Sequence, residues 1–167
     1  MRRCLILLLG LAVVFSPGCA RKQEITSLQR KQAANLVSEA QFAMTLREYA
    51  RAEGLYAQAT ALCPDTPEYL LSLGAARRRL GNRDGAKAAY EQMLDLAKDH
   101  YKHDSKDPQP LLQQVYVLAL LGRMDDARAA QERAQKNHPN DPNVRAFIGN
   151  RELERMPDSP GFKDVAL

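Results

Sequence analysis

The chain lacks tryptophan, has only 6% aromatic residues and carries three cysteines in 167 residues. A core must therefore be built mainly from Leu, Ala, Val and Tyr. Cys4 and Cys19 fall in the first nineteen residues, which leaves Cys63 without an intramolecular partner and excludes a disulfide framework. Cys63 has no basic residue within a helical turn, so it reads as a small buried hydrophobe and not a reactive thiol. Glycine and proline number nine each, too few for collagen-like or low-complexity chains. No glycine-rich phosphate loop, GxSxG, HExxH or spaced Cys and His ligands occur, so no catalytic residue, metal or cofactor is expected. What is present, 26% charged and 45% hydrophobic residues, suits one ordinary domain and is too polar for several membrane spans.

The formal charge of +4 is a weak pointer to nucleic acid once its location is considered. Residues 1–19 hold Arg2 and Arg3 and no acid, and without them the balance is 22 basic against 20 acidic side chains. The run Arg77 to Arg79 is short and sits in a helical pattern, so no nucleic-acid partner is expected.

Residues 1–19 read as an export signal: basic Arg2 and Arg3, an apolar run from Leu5 to Phe15, then Ser16, Pro17, Gly18 and Cys19. The run falls well short of the about 20 residues that span a bilayer. Its ending resembles the lipobox of bacterial lipoproteins, with Gly18 before the cysteine and Ser16 and Pro17 departing from the usual Leu and small residue. The resemblance implies cleavage before Cys19, lipidation of its thiol and, with Ala20 following, residence at the periplasmic face of the outer membrane. An ordinary signal peptide cut elsewhere is one alternative, and an uncleaved N-terminal anchor is another. Residues 20–26 would form a polar tether.

The chain repeats internally. When Pro64 is aligned with Pro139, each is preceded at equal offsets by Ala59 or Ala134, Ala52 or Ala127, and Leu46 or Leu121. The middle segment holds Leu70, Leu73, Gly74, Leu80, Gly81, Ala86 and Tyr90. Together these residues resemble the tetratricopeptide repeat. In that register the units are residues 33–66, 67–100 and 108–141, with a single capping helix over 142–156 and an irregular tail over 157–167. Glu39, Gln114 and Gln131 stand where the pattern prefers apolar residues, and Lys98 stands in place of a closing proline. The implied fold is all-α, a right-handed α-solenoid of three helix hairpins plus the capping helix, within a domain from about residue 27.

Helical spacing supports the same arrangement independently. Leu36, Ala40, Ala43 and Met44, then Leu70, Leu73, Ala76 and Leu80, then Leu111, Val115, Leu118 and Leu121 each recur on one helix face. Small residues at Ala52, Gly74, Ala86 and Ala127 allow close backbone approach, with Tyr56 and Tyr90 filling the wedge to the next pair. A lone pair cannot bury its apolar face, so stacking is required. The second step is seven residues longer than the others, around Asp99 to Asp107. Either the second helix of that unit extends to about His103 or an exposed loop is inserted. His100 and His103 lack a further ligand cluster and read as part of a solvated charged segment rather than a metal site. Phe162, Val165 and Leu167 are placed to dock back from the tail.

The resemblance also implies a concave side lined by first helices. Carried over, its contact positions are Val37, Gln41, Met44, Leu71, Ala75, Arg78, Arg79, Leu112, Tyr116, Ala119, Leu120 and Asn150. They form a mainly apolar groove, Tyr116 central and the arginines to one side, suited to a partner protein's peptide or amphipathic helix; the alternative is packed core with a solvated arginine face. The Lys and Asn pairs that clamp a carboxylate in some members are absent. The expected role is non-enzymatic: a lipid-anchored interaction scaffold for an envelope assembly such as a secretion system or a Flp-type or type IV pilus. A periplasmic scaffold or regulator of cell-wall enzymes is the second reading, and a cytosolic chaperone-type adaptor, which needs the export reading to be wrong, is the third. No small-molecule substrate is expected.

Overall fold

A computed structural model describes residues 24–167, and residues 1–19, read above as an export signal ending at Cys19, lie outside the described residues. Among the described residues the structure is helical without strands: α1 (Ser27–Thr45), α2 (Tyr49–Leu62), α3 (Pro67–Arg79), α4 (Arg83–His103), α5 (Gln109–Leu120), α6 (Met124–Asn137), α7 (Pro142–Gly149), α8 (Glu152–Arg155), a 3-10 turn (Met156–Asp158) and α9 (Pro160–Lys163). α1 to α6 pack as three hairpins, each against its neighbour in chain order.

Local chemistry sets these boundaries. Thr26 starts α1 with a reciprocal cap: its hydroxyl accepts from the Gln29 N–H (3.2 Å) and the Gln29 side chain accepts from the Thr26 N–H (2.9 Å). Proline opens α3 and α7, where a missing N–H costs nothing. The three first helices end alike. Arg47, Gly81 and Gly122 each take a left-handed conformation (φ 60°, 79° and 72°), and the next residue donates its N–H back to a carbonyl five residues earlier: Glu48 to Ala43, Asn82 to Arg77 and Arg123 to Leu118, each at 2.9 Å.

Ala40, Ala43, Ala52, Tyr56, Leu73, Ala76 and Ala89 form one buried cluster between the first two hairpins. Ala33, Ala59 and Cys63 close its outer end, where burial pushes the Cys63 thiol pKa up. A larger core runs from Leu70 and Tyr90 through Val115, Val117 and Leu120 to Leu153 and Phe162. The seven extra residues lie in α4, which continues to His103 and leaves the short turn Asp104–Asp107 before α5. That extension carries Tyr101 onto the cluster of Leu111, Ala134 and Val144.

The C-terminal region departs from expectation. No single helix covers 142–156. α7 stops at Gly149, Arg151 turns left-handed (φ 53°) with its N–H donated to the Ile148 carbonyl (3.0 Å), and α8 sets off anew. The break lets Leu153 reach the main core. Nor is 157–167 wholly irregular, since it holds the 3-10 turn and α9 and folds back onto α3, α4 and α5.

Candidate functional site

The site lies where α3, α4 and α5 meet the returning chain. The guanidinium of Arg78, near the end of α3, donates from Nε to the Ala166 carbonyl (2.7 Å). Tyr90 on α4 donates its hydroxyl to the Val165 carbonyl (2.8 Å). The Leu167 N–H donates to the Leu120 carbonyl (2.9 Å). That carbonyl belongs to the last turn of α5 and has no acceptor role within the helix, so the returning segment supplies what the helix end lacks.

Side chains complete the contact. Phe162 is buried with its ring edge-on to Tyr116, centroids 6.2 Å apart. Asp164 pairs with Arg79 (3.1 Å), which also lies over the Tyr49 ring, 5.6 Å from its centroid. Burial pushes the Tyr90 phenol far above its usual range and raises that of Tyr116, so Tyr90 remains a donor at physiological pH.

Beside this occupied half lies an open hollow of about 330 Å³, lined by Leu71, Met93, Leu112, Tyr116 and Phe147 with Glu68, Gln109 and Gln113 at its edge. Gln113 donates to Glu68 (2.9 Å), bracing α5 against α3. Tyr116 and Phe147 are shared with a second cleft of about 830 Å³ that continues past Phe162 to Met156 and Arg155. Chemically the arrangement can seat a peptide: apolar walls for side chains, donors and an acceptor for a main chain, and an arginine for an acid.

Of the residues carried over from the repeat pattern, Leu71, Leu112 and Tyr116 line the hollow, while Arg78 and Arg79 hold the tail. Ala119 and Leu120 are corrected to core. They are 3% and 0% exposed, and the Leu120 carbonyl accepts from the tail. Val37 and Met44 pack against the cluster of the first hairpin, Gln41 is exposed, Ala75 is half-buried, and Asn150 is exposed at the break after α7. Tyr90, Met93 and Phe147 belong to the site and were not among the residues anticipated. Tyr90 is legible only as a wedge-filling residue, and its hydroxyl gives no pattern signal of its own.

Among the described residues no group of three or more His, Cys, Asp or Glu comes together, and no helix is long and apolar enough to cross a membrane. A family model, the tetratricopeptide repeat, matches residues 67–100, which cover α3 and most of α4. The curated proteins give no match. Among solved structures, the chain is similar to the type III secretion translocator chaperone SycD of Yersinia enterocolitica. They share 20% identity over 77% of this chain and 89% of that one, with a TM-score of 0.50. SycD in complex with a peptide of the translocator YopD is similar at 21% identity, 84% and 97% coverage and a TM-score of 0.49. The first such domain of Spaghetti (RPAP3), bound to an HSP90 peptide, is similar at 15% identity, 78% and 96% coverage and a TM-score of 0.46. The shared feature is the fold, a stack of tetratricopeptide-like helix hairpins.

Proposed function

We propose that this protein is a non-enzymatic interaction scaffold that holds a peptide segment of a partner protein along α3, α5 and α7. One observation carries the reading: Arg78, Tyr90 and Leu120 already engage the main chain of a segment laid across them, beside an open apolar hollow. Main-chain recognition with flanking apolar pockets is a general way to bind peptides of varied sequence. The export signal and Cys19 supply the address. Lipidation there would tether the scaffold to the periplasmic face of the outer membrane, within reach of a secretion or pilus assembly. A scaffold for cell-wall enzymes uses the same surface and is distinguished by what it holds.

Photo-crosslinkers placed in producing cells at Leu71 and Leu112, and at exposed Lys87 on α4 as a control, test the surface. Partner adducts from the first two positions, lost on Tyr116→Ala with helicity unchanged, are expected. Equal adducts from Lys87, or none from the hollow, would reject the reading, and the adducts' identity separates pilus or secretion subunits from wall enzymes. Cys19→Ala should release the protein from the membrane fraction, and a mature mass without acyl chains would reject the anchor.

A further inference from the structure

The chain fills half of its own proposed binding surface. Arg78 and Tyr90 donate to the carbonyls of Ala166 and Val165 and the Leu120 carbonyl accepts from the Leu167 N–H, so these bonds engage the main chain of residues 165–167 and none of its side chains. Such bonds hold position and leave the sequence of the occupant open. The sequence-dependent part consists of the Phe162 ring against Tyr116, the Asp164 carboxylate on Arg79 and the packing of Val165, Ala166 and Leu167 on the main core.

The segment is also weakly invested in the fold. Of residues 159–167, only Phe162 is buried; Asp164 keeps 58% of its side chain exposed, and Val165, Ala166 and Leu167 are half-buried. A stretch at the edge of the fold, anchored by one ring, three main-chain bonds, the half-buried packing of Val165, Ala166 and Leu167 on the main core and one exposed ion pair, is placed to open locally before the helix hairpins do. Release would take from the Leu120 carbonyl the donor it has here, a place that another chain's N–H can fill. The hollow lined by Leu71, Leu112 and Phe147 meets the occupied half at Tyr116, so a ligand seated there can advance into the tail's place.

We infer that residues 159–167 are a tethered occupant of the groove, displaced when the partner binds, and that the partner segment reproduces its chemistry: an aromatic residue, an acid two residues later, and apolar residues directly after. This rests on the peptide-scaffold reading and adds to it a gate and a ligand class. The arginine run Arg77–Arg79 favours an acidic segment, since Arg77 is engaged by Glu53 while Arg78 and Arg79 face the occupant. Covalent attachment gives the tail an effective concentration near the millimolar range, so only a ligand that binds more widely, across both halves, displaces it efficiently.

The test uses the full chain and a fluorescein-labelled, amidated peptide of the sequence SPGFKDVAL, residues 159–167. Asp164→Lys sets a cation against Arg79 at an exposed position and should free the tail without disturbing the helices. The expected result is probe binding about tenfold tighter to this variant than to the unmodified chain, reversed by adding Arg78→Ala, with equal helicity by circular dichroism. Equal affinity for both chains would overturn the inference. So would a concentration-dependent dimer exchanging tails, which would make a second copy the occupant. Hydrogen exchange on the unmodified chain decides independently of any variant: the Leu167 amide should exchange faster than that of buried Leu153 and faster still with saturating probe. Equal protection of the two amides would make the tail a fixed part of the fold. In that case the crosslinks from Leu71 and Leu112 would persist, whereas failure of the scaffold reading would abolish them and leave the exchange result intact.

Discussion

Gly74 on α3 packs against the ring of Tyr90 on α4, so closely that a Cβ at position 74 would run into the ring's carbons. The same tyrosine holds the tail through its hydroxyl, so the packing of one hairpin sets the position of a donor in the groove. Gly74→Ala must push the ring aside within a filled core, at a cost of about 1 to 3 kcal/mol in chemical denaturation. The displaced hydroxyl should also speed amide exchange at Leu167. Because the two residues share one contact, Gly74→Ala combined with Tyr90→Leu should cost less than the sum of the single changes, and strict additivity would contradict the geometry.

The third hairpin solves the same packing problem differently. Ala40, Gly74 and Val115 hold equivalent positions in the three units, and so do Tyr56, Tyr90 and Gln131. Where the first position carries the larger valine, the second carries Gln131, whose Oε1 is buried without a hydrogen-bond partner. An unpaired buried acceptor costs about 1 to 3 kcal/mol. Gln131→Leu keeps most of the volume and removes the polar atom, so a gain in stability of about 1 kcal/mol is expected from denaturant midpoints, with no change in the crosslinks from Leu71.

The helix pairs were legible in the sequence because their signals are carried by side chains: alanines at a fixed spacing, glycines ending first helices at Gly81 and Gly122, and prolines opening α3 and α7. The occupied groove was not. Three of its contacts join main-chain groups of residues 120 and 165–167 to one another or to Arg78 and Tyr90, and no residue type announces a carbonyl that lacks a partner. Phe162, Val165 and Leu167 were legible as docking residues, but not where they dock. Ala119 and Leu120 were assigned to an open surface because a repeat register counts positions along a helix and contains no covering chain. The break at Asn150 and Arg151 escaped for a related reason, since polar residues there suit a solvated helix as well as a turn.

Arg47 stands where the next two units have Gly81 and Gly122, and it takes the same left-handed conformation, which an L side chain adopts at a cost. Arg47→Gly should therefore stabilise the first hairpin, by about 0.5 to 1 kcal/mol after the extra freedom of an unfolded glycine is offset. Arg47→Ala keeps the Cβ and should give no such gain. Equal effects of the two changes in thermal unfolding would assign the difference to the lost charge instead of the backbone.

Acid should loosen the first hairpin before the others. Arg30 on α1 grips both oxygens of Asp65 in the α2–α3 turn, at 2.8 and 3.4 Å, and tethers α1 to the start of the next unit. Arg30's hydrogen bond holds the Asp65 carboxyl below its ordinary value of 3.8, outweighing the opposing effect of partial burial. A carboxylate whose pKa is lower in the folded than in the unfolded chain stabilises the fold above the unfolded value, and that contribution disappears as pH falls through the folded one. The pair's share is thus fully present at neutral pH and is lost below about pH 4. Asp65→Asn removes the titration while keeping the shape. The variant should be less stable than the unmodified chain at pH 7, and the two stability curves should converge as the pH falls below 4. Raised salt should narrow the gap at pH 7, because more than half of the Arg30 side chain remains exposed. Curves that stay parallel from pH 7 to pH 3 would mean that the ion pair contributes nothing to holding α1 in place.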